Sequence, residues 1–132
     1  MNAQTKRILK TKLRQYPQMR DRIAEKFADL ASEKSVSHVG LGGGDSHIDC
    51  MIACDRIMDS RDYLWAKAIE NTLKDYEGDT AKIIRMRYFG RRASDYDIET
   101  ALHYSRRRIY DKEDDFLNQL HKYAIHYRLL GV

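Results

Sequence analysis

Residues 79–120 read DTAKIIRMRYFGRRASDYDIETALHYSRRRIYDKEDDFLNQL, and three short helical patterns follow one another within them. The first runs from about Thr80 to Phe89, with Ala81, Ile84 and Tyr88 on one face, Asp79 or Thr80 as its cap and Gly90 as its stop. The second begins at Ser94, where Ser94-x-x-Asp97 has the capping-box form, and its buried stripe is Ile98, Ala101 and Leu102. After a very short turn at His103-Tyr104, Ser105 caps the third. That helix buries Ile109, Phe116, Leu117 and Leu120 and runs on toward Tyr127. Two helices joined by about three residues are the geometry of a helix-turn-helix, whose second helix enters the DNA major groove N-terminus first.

The side chains at that N-terminus suit the task. Arg106, Arg107, Arg108, Tyr110, Asp111 and Lys112 occupy the first two turns, with Ile109 anchoring them from behind. Arginine forks match guanine O6 and N7, and Arg and Lys also neutralise phosphates. Arg91 and Arg92, ahead of the second helix, are placed for the phosphate backbone. Ser94 and Ser105 join them through hydroxyls or helix-terminal amides. Any one of these is an ordinary surface residue on its own; the arginine run at the recognition position carries the reading. Glu113, Asp114 and Asp115 follow it closely. Their charge repels DNA, which confines the expected contact to the first two turns.

Outside this stretch the chain stays helical in pattern. Of 132 residues one is proline, Pro17, and few strand formers alternate, so the expectation is an all-α fold. Residues 1–35 read as a basic N-terminal helical arm, with Ile8, Leu9 and Leu13 at helical spacing and Pro17 breaking or restarting the helix. A second stripe follows, of Met19, Ile23, Phe27 and Leu30. Residues 36–46, with Gly40, Gly42, Gly43 and Gly44, read as a connector. They lack the strand, lysine and hydroxyl of a phosphate-binding loop. Residues 47–78 allow one long central helix, marked by a bend signal at Asp59-Ser60-Arg61-Asp62 and ended by Gly78. Its broad face of Met51, Cys54, Met58, Trp65, Ile69 and Leu73 predicts a homodimer seam. Residues 79–132 form the C-terminal unit.

Charge divides along the same lines. Residues 1–28 carry 8 basic and 2 acidic side chains, residues 29–80 carry 5 and 11, and residues 81–132 carry 11 and 7. The basic ends point to a polyanion partner, while the acidic middle reads as scaffold. No apolar run suits a membrane and the first residues lack the apolar core of a signal peptide, so a soluble, cytoplasmic protein is expected. His47, Cys50 and Cys54 share a helix face, but three ligands on one element fit buried thiols better than a zinc site. His103, His121 and His126 have no catalytic companions at useful spacing. The expectation is therefore no enzyme, no metal and no cofactor.

Residues 85–120 resemble region 4 of bacterial sigma-70 factors, with an aromatic-ended helix, a short second helix, a Ser cap, an Arg-rich start and a leucine-bearing tail. The larger layout is similar to RinA-like and ArpU-like phage late-gene transcriptional regulators. The matching pieces are Leu13-Arg14-Gln15-Tyr16-Pro17, Gly42-Gly43-Gly44, the span His47 to Tyr76, and Ile84 to Leu120. The resemblance implies a phage or prophage activator that binds double-stranded DNA and works with the host RNA polymerase in a bacterial cytoplasm. It makes Ser105, Arg106, Arg107, Arg108, Tyr110 and Asp111 the DNA-facing set. One departure is His103, which stands where many such turns hold Gly. Two other readings stay open: a small terminase subunit for DNA packaging, and a helical adaptor that binds protein through the long helix.

Overall fold

The computed structural model describes residues 1–37, 43–90 and 92–131, with side-chain surroundings for all of these except 33–37, 43–48 and 50. The chain is all-helical across them: α1 (Ala3–Ser37), α2 (Gly43–Met58), α3 (Arg61–Asp75), α4 (Asp79–Tyr88), α5 (Asp95–Leu102) and α6 (Arg106–His126). No strand occurs among the described residues.

Pro17 does not break the first helix. Asn2 opens α1 by accepting the Thr5 amide at 2.7 Å, and the helix continues through the proline to Ser37. An internal proline costs about 3 kcal/mol through its lost hydrogen bond and ring clash. Leu9, Leu13, Tyr16 and Met19 flank it on one stripe, all buried. Each contributes roughly 1.5–3 kcal/mol on burial, so packing on both sides outweighs the local penalty. These residues are core, and the expected N-terminal arm is an integral helix packed on α3, α2, α6 and α4.

The single helix expected over residues 47–78 is two helices, because Ser60 serves both sides of a break. Its hydroxyl donates to the Ile57 carbonyl at 2.6 Å at the end of α2, and its oxygen accepts the Tyr63 amide at 3.3 Å to open α3. The expected connector over residues 36–46 is helical at both ends, since α1 reaches Ser37 and α2 starts at Gly43 and so takes in Gly43 and Gly44. Residues 38–42, with Gly40 and Gly42, lie outside the described residues.

Two apolar clusters hold the helices together. The larger one joins Leu9, Leu13 and Met19 of α1, Trp65, Ile69 and Leu73 of α3, Ile84 and Tyr88 of α4, and Phe116, Leu117 and Leu120 of α6. The smaller one is Ile83, Ile98 and Ile109, one isoleucine from each of α4, α5 and α6, with Met86, Ala93, Leu102 and Tyr104 around it. The second half of α6 therefore belongs to the main core, and only its first turns sit with α5. The face of α3 that was expected to serve a dimer is covered within the chain: Trp65 is 1% exposed. Large apolar side chains stay open on α2 instead, at Met51, Ile52 and Met58.

Gly78 and Gly90 bracket α4 with φ of +106° and +68°, values that favour glycine. Asp79 lies in the first turn of α4 rather than capping it, with Gly78 at the cap position. The Asp79 carboxylate accepts the Tyr104 hydroxyl and so ties the start of α4 to the connection between α5 and α6.

Candidate nucleic-acid interface

Local chemistry fixes the starts of both α5 and α6. Ser94 and Asp97 close a full capping box at the start of α5: Ser94 N–H donates to Asp97 Oδ2 at 3.1 Å, and Asp97 N–H donates to Ser94 Oγ at 3.2 Å. Ser105 Oγ accepts the Arg108 amide at 3.3 Å and caps α6. Between them His103 takes the left-handed conformation, φ 57° and ψ 38°, while its amide donates to the Glu99 carbonyl. The backbone turn that glycine commonly makes is thus made by histidine, which costs roughly 1–2 kcal/mol. Tyr104 then locks the corner, with its hydroxyl on Asp79 and its ring beneath Arg108 at 4.6 Å and Lys112 at 5.3 Å.

The three arginines that open α6 have different surroundings. Arg106 Nε lies 3.0 Å from Glu99 Oε1 and 3.9 Å from Asp95 Oδ2, so α5 neutralises it. Arg108 rests on the Tyr104 ring. Arg107 is exposed and has no ion pair or ring contact among the described residues. Cations in a helix's first turn oppose its dipole, each at a cost of about 0.3–1 kcal/mol. Arg107 bears that cost without an ionic partner among the described residues.

The remaining predicted residues divide similarly. Arg92 is exposed just before α5, and Arg91 lies outside the described residues. Ser94 and Ser105 commit their hydroxyls to caps. Tyr110 spends its hydroxyl on Asp95 at 2.6 Å and carries Arg87 over its ring at 5.3 Å, so it orients neighbours at least as much as it faces outward. Asp111 is exposed beside Arg107, and Lys112 is half-buried against Tyr104.

Behind this face lies a polar network that sequence reasoning missed. Arg87 of α4 reaches Asp95 at 2.6 Å and Glu113 at 3.1 Å, and Glu113 also accepts the Tyr88 hydroxyl. Glu113, expected on the surface as a charge that repels DNA, is 2% exposed and joins α4 to α6. Its burial follows from its partners: an arginine and a tyrosine from α4 replace the water it loses. Hydrogen bonds from Tyr110 and Arg87 hold the Asp95 carboxyl below its ordinary range. Burial first, then the Glu113 bond, pushes the Tyr88 phenol well above its ordinary value. The signal was in the sequence: Glu113 stands four residues after Ile109 and three before Phe116, on the buried stripe of α6, whereas Asp114 and Asp115 fall off it.

Asp114, by contrast, faces outward and pairs with Lys6 of α1 at 2.6 Å. No group of three or more potential metal ligands occurs among the described residues; the His47 and Cys50 side chains lie outside them. No described helix is long and apolar enough to cross a membrane. Compared with protein families, curated proteins and solved structures, the chain shows no match.

Proposed function

We propose that α4, α5 and the first turns of α6 form a helix-turn-helix that binds double-stranded DNA and reads its sequence, and that the protein is a transcriptional regulator. One observation carries this reading. Arg107 stands exposed at the start of a capped helix, against the helix dipole and with no ion pair or ring contact among the described residues. It lies between Arg106, which is paired with Glu99, and Arg108, which rests on the Tyr104 ring. A neighbouring polyanion removes that penalty, and the major-groove edge of guanine fits the guanidinium fork. In this reading Arg107 is the base reader, Arg106 and Arg108 are held to its sides, and Arg92 meets phosphate. Contact is confined to the first two turns, because the exposed Asp115 beyond them carries a charge that repels DNA.

The regulator is proposed as a phage or prophage late-gene activator in a bacterial cytoplasm that acts with the host RNA polymerase; the sigma-like order of residues 85–120 supports this assignment. It is proposed to work as a homodimer through Met51, Ile52 and Met58, three large apolar side chains left open on α2. Selection of bound duplexes from a random pool tests the function. A defined consensus, bound in two copies by a dimer, is the expected result. A ring of eight or more subunits in a mass measurement sinks the regulator reading in favour of a packaging subunit. Duplex affinity that is weak and indifferent to Arg107→Ala favours a protein-binding adaptor.

A further inference from the structure

We infer that the first turns of α1 form a second DNA contact, one that grips phosphates without reading bases and lies beside the start of α6. The inference rests on the DNA-binding reading above.

Lys6, Arg7, Lys10 and Arg14, with Ala3, line one shallow groove of about 250 Å³ along α1. Their spacing places them on a face adjoining the buried stripe of Leu9, Leu13 and Tyr16, so core packing fixes which way they look. No carboxylate lines the groove. Lys6 is the member that meets an acid, Asp114 at its edge, while the Arg14 guanidinium lies 5.7 Å over the Tyr88 ring. Arg7 is exposed, and Lys10 is partly so.

These two contacts position the cationic ridge. Lys6 touches α6 at Asp114, and Arg107 stands seven residues before Asp114 on the same face of that helix. Two helical turns separate them, about 10 Å. The ridge from Arg7 to Arg14 also spans seven residues, again about 10 Å. Over such a length duplex DNA presents about three phosphates on each strand. The ridge therefore matches a stretch of backbone flanking the groove that α6 would enter. A partner of evenly spaced negative charge suits it, because its cations sit along a line without acids between them.

The test uses the full chain with two probes: the duplex recovered from a random pool by the parent protein, and an unrelated duplex of equal length. Arg7→Gln/Lys10→Gln removes two charges at positions outside the core. Its affinity is expected to fall by a similar factor on both duplexes, leaving their ratio intact. The slope of log affinity against log salt should become shallower by about 2, at roughly 0.9 per phosphate contact. Arg7→Lys/Lys10→Arg, which keeps both charges, is expected to retain the parent slope, and thermal melting reports whether each variant folds. An unchanged slope in the glutamine variant, with Arg107→Ala still lowering the duplex ratio, overturns the α1 contact and leaves the DNA reading standing. Loss of affinity on the selected duplex alone also overturns it, since α1 would then read bases. A parent protein that binds neither duplex at low salt overturns both.

Discussion

The Tyr88 hydroxyl donates to Glu113 Oε1 in the seam between α4 and α6, and Arg87 reaches the other oxygen of the same carboxylate at 3.1 Å. A carboxylate 2% exposed is costly unless such partners replace its water. The pair therefore decides how α6 sits on α4, and through Arg87 and Asp95 how α5 sits on both.

Removing the carboxylate leaves Arg87 half-buried with one partner fewer. Glu113→Ala is expected to destabilise the protein by about 3–5 kcal/mol. Tyr88→Phe, which removes one donor, should cost about 1–3 kcal/mol. Urea denaturation of both single variants and the double variant checks this. The double should cost less than the sum, because the two side chains share one interaction.

His103 offers the opposite sign. Its left-handed backbone penalises any residue with a Cβ, and more so a β-branched one. His103→Gly is expected to raise stability by up to about 1 kcal/mol, the gain being partly offset by glycine's greater unfolded-state freedom. His103→Val should lower it. Thermal melting of the two variants beside the parent reads the difference.

The three arginines should separate in a binding assay. On a selected duplex, Arg107→Ala is expected to lose about 1–3 kcal/mol and most of its preference over unrelated DNA. Arg106→Ala should change that preference less, because Glu99 and Asp95 already hold its charge. Arg92→Ala should weaken all duplexes alike. Equal effects of the three on every sequence would reduce the run to a phosphate clamp.

Alkaline pH should loosen the seam between α1 and α3. Burial, followed by its hydrogen bond to Glu70 at 2.9 Å, pushes the Tyr16 phenol up to about 12 from an ordinary value of 10.0. The folded state thus holds a proton that the unfolded chain gives up first. Its stabilising contribution is complete below pH 10 and is lost as pH rises toward 12. Stability measured in that window should fall more steeply for the parent than for Tyr16→Phe. Parallel curves would mean that the Tyr16 proton is not linked to folding.

Much of the helix layout was legible from local signals. The Ser94–Asp97 box, the Ser105 cap and the glycine stop at Gly90 are where the sequence places them. Each is made among neighbours along the chain. The bend signal at residues 59–62 was also in view, although Ser60 turns it into a full break. The candidate interface was legible in part: the arginine run marked the start of α6, but its members looked equivalent.

By itself, the sequence determined an all-helical chain, most of the helix ends and the clustering of basic charge, because capping and periodicity act over a few residues. Tertiary structure decided the rest. Pro17 stays inside a helix because Leu9, Leu13, Tyr16 and Met19 pack on both sides of it. Glu113 lies on the buried stripe of α6 by its spacing, but its burial is sustained because Tyr88 and Arg87, about 25 residues earlier, meet its carboxylate there. Glu99 and Tyr104 engage Arg106 and Arg108, while Arg107 has no ion pair or ring contact among the described residues. These outcomes depend on contacts between separate helices, and a desolvated charge or a strained turn is settled by what packs against it, which no local pattern encodes.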